Sequence, residues 1–190
     1  KWKRLNRIIR DIPSTYISGG YKDKYVNMRQ LLQDDMKKNN WCCNCIRCRE
    51  VKDNSVNIND IRIDIEKYKG SSGDEYFISL VTDKYLIGFI RLRLIKYENK
   101  DNMEREQLPV LHGSALIREL HIYSNMSDVG NNVENSYQHK GYGKKLLETA
   151  EHISKTEGYN KIAVISGTGV RNYYRKNGYE LIDTYMIKVF

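Results

Sequence analysis

Gln138-His139-Lys140-Gly141-Tyr142-Gly143 is the stretch that decides the fold of this chain, because it separates a polar loop from a helical pattern. Apolar residues follow at three- and four-residue intervals and predict a helix over 143–156, namely Leu146, Leu147, Ala150 and Ile153. Backbone N–H groups in a first helical turn lack intrahelical acceptors, and the helix dipole places positive charge beside them. Gly141 and Gly143 allow close approach to the backbone, and charge is added by Lys140, Lys144 and Lys145. The stretch therefore predicts an anion site that suits a diphosphate.

Two common nucleotide-binding motifs do not fit these residues. A dinucleotide fingerprint needs a third glycine where Leu146 stands, and a P-loop needs a hydroxyl residue where Lys145 stands. A Gly-x-Gly pair also occurs at helix starts that bind no ligand. From the residues alone, an anion site and a plain helix start both stay open.

Strand patterns extend outward on both sides of this helix. Strict alternation over Ile61–Ile65 predicts a half-buried strand, and Ser71–Asp74 predicts a turn. The other predicted elements are strands at Tyr76–Val81, Leu86–Leu94, Ala115–Tyr123, Lys161–Ser166 and Leu181–Val189 and a short helix at Val170–Lys176. Strands followed by strand–helix–strand predict an α+β domain around a mixed sheet over residues 57–190. Polar stretches at 97–107 and 124–136 interrupt it.

Residues 1–56 differ in composition and are predicted to form a basic linker segment. The first 50 residues hold 12 Lys and Arg against 5 Asp and Glu, a net charge of +7. Apolar spacing within the segment predicts a helix over Met28–Lys38. The charge favours a polyanionic partner such as RNA, with a solubilising surface as the alternative.

All four cysteines fall between Trp41 and Arg49, too close together to staple distant parts of a fold. Cys43, Cys45 and Cys48 follow the pattern C-x-C-x-x-C and could place three thiolates around one zinc ion. A fourth ligand would come from Cys42, a distant His, water or a segment outside this chain. A loop of reduced thiols is the alternative interpretation.

Gln138-x-x-Gly141-x-Gly143 resembles the Q/R-x-x-G-x-G/A motif of the GNAT acetyltransferase superfamily. The resemblance implies a GNAT fold, with a mixed, mostly antiparallel sheet flanked by helices. It also implies that acetyl-CoA binds residues 138–144, meaning Gln138, His139, Lys140, Gly141, Tyr142, Gly143 and Lys144. The pantetheine arm would pair with the backbone of Glu119, Leu120, His121 and Ile122.

Four blocks, Arg118–Tyr123, Gln138–Gly143, Ile162–Gly167 and Arg171–Tyr179, resemble more narrowly the family of Elongator catalytic subunits. That family modifies the wobble uridine of tRNAs, so the resemblance implies acetyl-CoA, zinc, tRNA and other Elongator subunits as ligands and partners. Acetyl-CoA would supply the acetyl unit for a carboxymethyl-type modification. The family also carries an upstream radical S-adenosylmethionine domain with an iron–sulfur cluster. Its C-x-x-x-C-x-x-C triad is not in this sequence, so we expect the chain to be the C-terminal part of such a protein, with natural loss of the radical half as the alternative.

Candidate catalytic residues are Tyr173, Tyr174 and Glu119. A tyrosine phenol can donate a proton to a leaving thiolate, and the resemblance puts Tyr173 at the cofactor as well. Glu119 is a candidate general base, and strand alternation puts it on the same face as His121. The alternative is that His121 and both tyrosines are structural residues.

Candidate tRNA-binding residues are basic. Arg4, Arg7 and Arg10 recur every three residues and could line one helix face, while Arg47 and Arg49 flank Cys48. The alternative is a solvated face.

Two other functions stay open at this stage. A stand-alone protein lysine N-acetyltransferase would share the cofactor site, and a catalytically inactive tRNA-binding GNAT module would share the basic segment. No apolar run approaches the roughly 20 residues that cross a bilayer, and residues 1–4 lack the apolar core of a signal peptide. We therefore expect a cytoplasmic protein without membrane partners, with a nuclear location as the alternative.

Overall fold

The structure of this chain is a computed structural model that describes residues 1–5, 16, 18–19, 28–52, 54–71, 73–95, 108–123 and 141–190. These residues fall into two compact units, Lys1–Glu50 and Val51–Phe190. The second unit begins before the predicted boundary at residue 56, because Val51 is fully buried in its core and its amide donates to the Leu86 carbonyl at 3.1 Å. Among the described residues, no helix has both the length and the apolar character that crossing a bilayer requires.

The first unit contains two helices, α1 over Met28–Lys38 and α2 over Ile46–Arg49. The bounds of α1 are those predicted from its apolar spacing. None of its residues is buried, so packing of an apolar face contributes little to its stability. The helix ends where Asn40 adopts a positive φ of 55° and the Trp41 amide donates to the Met36 carbonyl at 2.8 Å.

The second unit is built on one seven-stranded sheet. Its strands are β1 (Arg62–Gly70), β2 (Gly73–Val81), β3 (Leu86–Ile95), β4 (Ser114–Ile122), β5 (Lys161–Ile165), β6 (Glu180–Ile182) and β7 (Tyr185–Val189). The spatial order is β1-β2-β3-β4-β5-β7-β6, in which β4 and β5 are parallel and every other neighbouring pair is antiparallel. The predicted α+β class with a mixed, mostly antiparallel sheet is confirmed.

Two helices follow the fourth strand, α3 over Tyr142–Thr156 and α4 over Arg171–Lys176. The apolar stripe of α3 packs with one face of the sheet in a cluster that includes Ile78, Leu80, Ile90, Leu92, Ile117, Leu146, Leu147, Ala150 and Val164. Full burial of each Leu or Ile side chain contributes roughly 1.5–3 kcal/mol, so this face contributes substantially to the fold's stability. Tyr174 joins the same cluster from α4.

One prediction about the C-terminal part was wrong, and another differs from the structure by one residue. The single strand predicted over Leu181–Val189 is a hairpin of β6 and β7, because Asp183 adopts a left-handed φ of 53° and turns the chain. The short helix begins at Arg171, after one 3₁₀ turn over Thr168–Val170. The predicted polar stretches at 97–107 and 124–136 lie outside the described residues.

Candidate functional site

Strands β4 and β5 pair over only part of their length. Ser114–Ile117 lies in parallel register with Lys161–Val164, and β4 then continues through Arg118–Ile122. In the described sheet these last residues pair with β3 alone. The second backbone edge of β4 is therefore available to an extended ligand, which could hydrogen-bond to it as an added strand would.

A β-bulge in β4 sets which side chains point to each face of the sheet. Arg91 lies opposite Glu119, whereas the next residue, Leu92, lies opposite Ile117, so Arg118 is an extra residue. Beyond the bulge, Leu120 and Ile122 pack against the core cluster. Glu119 and His121 therefore share the opposite face, as predicted.

Glu119 and His121 are held by neighbouring side chains on that face. Arg91 Nε donates to Glu119 Oε2 at 3.1 Å, and the Arg91 guanidinium lies over the rings of Phe77 and Phe89, at 5.3 and 5.5 Å. The His121 ring stacks on Phe89 with ring centroids 6.1 Å apart. The Glu119 side chain keeps 44% of its surface exposed, so an incoming acceptor could reach the carboxylate if the Arg91 contact opened. Its role as a base stays a prediction.

The glycine segment forms the start of α3. Gly141 precedes the helix with a left-handed φ of 77°, where a side chain would cost about 1 kcal/mol or more, and its carbonyl accepts from the Lys145 amide at 3.0 Å. Tyr142 is buried in the core cluster, so only its backbone can face an anion. Lys144 is exposed and forms an ion pair with Glu148 at 3.6 Å. Three predicted members, Gln138, His139 and Lys140, lie outside the described residues.

Three predicted cofactor residues from different elements converge at Gly143. A Cβ atom built on Gly143 would lie 2.8 Å from the Tyr173 hydroxyl and 3.8 Å from Ile122 Cγ1. Gly143 belongs to the first turn of α3, Tyr173 to α4, and Ile122 to the end of β4 beyond the bulge. The absence of a side chain at Gly143 is what lets the phenol reach the helix start at the mouth of the β4–β5 opening.

The two neighbouring tyrosines of α4 have different environments. Tyr173 keeps 36% of its surface exposed, and burial together with nearby Glu148 raises the pKa of its phenol. Tyr173 therefore stays protonated at neutral pH and able to donate. Tyr174 is 5% exposed, packs edge-on against Tyr173 and Tyr179, and has its pKa raised to about 12 by burial and by Tyr173. These contacts favour a structural role for Tyr174, whose catalytic role stays a prediction.

The three cysteines of the C-x-C-x-x-C pattern come together in the first unit. The sulfur atoms of Cys43, Cys45 and Cys48 all lie within 4.8 Å of one another, close to the spacing of about 3.8 Å that Zn–S bonds of 2.3 Å impose in a tetrahedron. Burial raises the pKa of Cys45, but backbone amides of Cys48 and Leu5 and the Cys43 thiol lower it to about 7. Burial and the neighbouring thiols raise the pKa of Cys48. All four cysteines, including exposed Cys42, are free thiols.

Two residues of α1 that sequence reasoning missed contact the thiol cluster. Arg29 Nη2 donates to Cys48 Sγ at 3.4 Å, and Gln33 Nε2 donates to the same sulfur at 3.6 Å. Arg29 also donates to the Leu5 carbonyl at 2.7 Å. Arg29 and Gln33 are four residues apart and so share one helix face, a feature that can be recognised in the sequence. That spacing alone does not show that their partner is a sulfur atom.

The predicted tRNA-binding arginines are only partly available. Arg4 lies outside any helix and forms an ion pair with Glu50 at 3.0 Å, so the predicted helix face does not include it. Arg49 donates to the carbonyls of Asn44 and Lys1 at 3.0 and 2.9 Å and serves the local fold. Arg47 is exposed on α2. The remaining two, Arg7 and Arg10, lie outside the described residues.

Comparisons with known proteins add a second line of evidence. A sequence profile of the acetyltransferase (GNAT) domain matches residues 73–181. The tRNA uridine(34) acetyltransferase of Methanocaldococcus jannaschii is 42% identical over 99% of this chain and 35% of its own length. Elongator complex protein 3 of Homo sapiens is 36% identical over 99% of this chain and 34% of its own length. The chain thus spans about a third of the length of these curated relatives.

A solved structure is also similar to this chain. The archaeal Methanocaldococcus infernus Elp3, with an N-terminal deletion, matches with a TM-score of 0.78 and 36% identity over 97% of this chain and 44% of that one. The fold of this chain is thus similar to that of the archaeal protein.

Proposed function

Because the chain belongs to the acetyltransferase (GNAT) family, we propose that it is the acetyl-CoA-binding part of an Elongator-type tRNA uridine acetyltransferase. The observation that carries the proposal is the convergence of Ile122, Gly143 and Tyr173 at the opening between β4 and β5. That opening offers an amide-bearing arm a strand edge that no described residue pairs with, and the start of α3 offers amides to a diphosphate. The residues present therefore fit coenzyme A.

Each element of the site would have its own task. The first turn of α3 would bind the diphosphate, with Lys144 adding charge and Gly141 allowing close approach. The edge of β4 at Glu119–Ile122 would orient the arm. Acetyl-CoA supplies the acetyl group when bound. Tyr173, kept protonated by its raised pKa, would donate its hydroxyl proton towards the sulfur of the leaving thiolate, and Glu119 would accept the proton of the acceptor.

We also propose that Cys43, Cys45 and Cys48 hold a zinc ion with a structural role. The donor set fits, because three sulfur ligands within 4.8 Å of one another suit this ion better than hard, oxygen-preferring cations. The ion would crosslink the chain before α2 to the helix itself. The fourth ligand is left open.

The RNA part of the proposal extends the names of the relatives to this chain. Arg47 and the other basic residues of the first unit would contact tRNA phosphates, and the acetyl unit would go to the wobble uridine in a carboxymethyl-type modification. The radical S-adenosylmethionine chemistry and its iron–sulfur cluster would belong to the part of such a protein that this chain does not span. Other Elongator subunits and a cytoplasmic location complete the proposal.

Acetyl-CoA binding tests the cofactor site. Gly141→Glu places a carboxylate at the start of α3, and we expect a loss of at least 10-fold in affinity by calorimetry, because the anion site then repels a diphosphate. Gly158→Glu is the matched control, since Gly158 lies just past the other end of α3 with a similar φ of 88° and equally open space around its Cβ position. Equal affinity of both variants for acetyl-CoA would refute the assignment.

Coenzyme A release tests the acceptor. If tRNA stimulates release of the free thiol from acetyl-CoA and lysine peptides do not, the tRNA function holds. Release on peptides alone identifies a lysine N-acetyltransferase, and salt-dependent tRNA binding without release identifies an inactive tRNA-binding module.

A further inference from the structure

Two buried polar atoms without partners flank the turn that connects β5 to α4. Ser166 Oγ and Arg171 Nε are shielded from solvent, and neither has a hydrogen-bond partner in the part of the chain that the structure describes. Buried polar groups are normally hydrogen-bonded, and one that is not destabilises the fold. Both atoms lie within seven residues of Tyr173 in sequence, on the α4 side of the opening.

Ser166 has a defined place relative to that opening. The last parallel pair joins Ile117 of β4 to Val164 of β5, so Ser166 follows two residues after the point where the strands part. It continues the alternation of Ile162 and Val164, whose side chains face the core on the α3 side. The hydroxyl therefore lies on the side of the sheet where α3 starts, opposite the free edge of β4.

We propose that Ser166 is a ligand-binding residue whose hydroxyl hydrogen-bonds to an amide of the acyl-CoA arm in the β4–β5 opening. The inference rests on the proposed function, because it needs an extended amide-bearing ligand there. A hydroxyl both donates and accepts, so it suits either the N–H or the carbonyl of such an amide. Binding would give the buried oxygen a partner that the described part of the chain does not offer, which would account for a polar side chain at this position.

Ser114 provides a matched control within the same pair of strands. It is 1% exposed, and its Oγ is also buried without a partner among the described residues. It pairs with Lys161, at the closed end of the two strands, away from the opening. Replacing either serine by alanine removes an unpaired buried hydroxyl, but only Ser166 lies where a ligand can enter.

The test compares Ser166→Ala and Ser114→Ala in the 190-residue chain, using acetyl-CoA and adenosine 3′,5′-bisphosphate, which lacks the arm. We expect both variants to unfold at equal or higher denaturant concentration than wild type without ligand. Ser166→Ala should bind acetyl-CoA roughly 3- to 10-fold more weakly and the nucleotide with unchanged affinity, which also shows an intact fold. Ser114→Ala should bind both like wild type.

Three results would overturn the inference. If wild type binds acetyl-CoA and Ser166→Ala binds it equally well, only the role of Ser166 is refuted. If Ser114→Ala weakens acetyl-CoA binding as much as Ser166→Ala does, the loss of affinity comes from a change in the two strands rather than from a lost contact with the ligand. If wild type does not bind acetyl-CoA, the proposed function fails as well.

Discussion

The contact between Gly143 and Tyr173 can be tested by adding a single carbon atom. In Gly143→Ala the new Cβ would lie 2.8 Å from the Tyr173 hydroxyl but 3.5 Å from Cζ, so only the oxygen is too close. To restore an ordinary contact of 3.4 Å, the hydroxyl must retreat by about 0.6 Å. In the Tyr173→Phe background that oxygen is gone, and the added methyl group meets only ordinary contacts.

The two backgrounds therefore predict opposite effects on the free energy of unfolding. Alanine favours a helix over glycine by roughly 0.5–1 kcal/mol, and this gain should appear undiminished beside Phe. Beside Tyr, displacement of the ring should outweigh the gain and give a net loss of about 1 kcal/mol. The coupling energy of the double-mutant cycle should then be about 1.5–2 kcal/mol.

Urea denaturation followed by circular dichroism measures all four proteins of the cycle. Gly167→Ala is the control, because a Cβ there meets nothing within 4 Å and the backbone has an ordinary φ of −62°. If the effect of Gly143→Ala is the same in both backgrounds within about 0.3 kcal/mol, the phenol does not lie on the helix start. The assigned convergence of α3, α4 and β4 would then be refuted.

Two further predictions concern the thiol cluster and alkaline stability. Arg29→Gln should weaken zinc binding roughly 10-fold, measured in competition with a chromophoric chelator, because the substitution removes a charged donor to Cys48 Sγ. The control Lys38→Gln, at the exposed end of α1, should bind zinc like wild type. Equal zinc affinities of the two variants would contradict a role for Arg29 in supporting the thiol cluster. The pKa of Tyr174 is raised to about 12 in the folded chain, compared with an ordinary tyrosine pKa near 10. The protonated phenol therefore stabilises the folded state fully below pH 10, and this stabilisation is lost as the pH rises towards 12. Tyr174→Phe should therefore lose roughly 2 kcal/mol less than wild type between pH 9 and 12 in urea titrations, and identical losses would refute the buried phenol.

The elements that the sequence predicts well are those with a simple periodicity. Helix α1 and strand β3 follow from regular apolar spacing, and their bounds match to within a residue or so. The hairpin of β6 and β7 was missed, because Asp183 carries no glycine signal for its left-handed φ. A local backbone conformation of this kind depends on the turn that the neighbouring strands impose, which periodicity does not encode.

The site residues show a different limit. Gly143 and Tyr173 are separated by most of α3 and by β5, so their contact follows from tertiary packing, and only the family resemblance suggested it. The same reason hid Arg29 and Ser166, whose roles depend on which atoms become neighbours or stay unpaired after folding. Residue type and spacing predict which chemistry is available, whereas burial decides which atoms can take part in it.

The bulge at Arg118 connects the periodicity of the sequence with the burial of side chains after folding. Ala115 and Ile117 face the core before the bulge, and Leu120 and Ile122 face it afterwards, so one extra residue has changed the parity of the strand. Without it, the residues in phase with Ile117 would be Glu119 and His121, and a carboxylate and an imidazole would enter the apolar core.

The same extra residue falls where β4 leaves β5. Ile117 is both the last residue paired with β5 and the last before the bulge. A bulge increases local twist and bends its strand, which accounts for the separation of two parallel neighbours at this point. Arg118 itself is anchored by donating to the buried Glu75 carboxylate at 2.8 Å, a group that Arg93 also contacts at 2.7 Å. In the sequence, the adjacent charged residues Arg118 and Glu119 thus mark the position after which β4 no longer pairs with β5 and contributes its free edge to the candidate site.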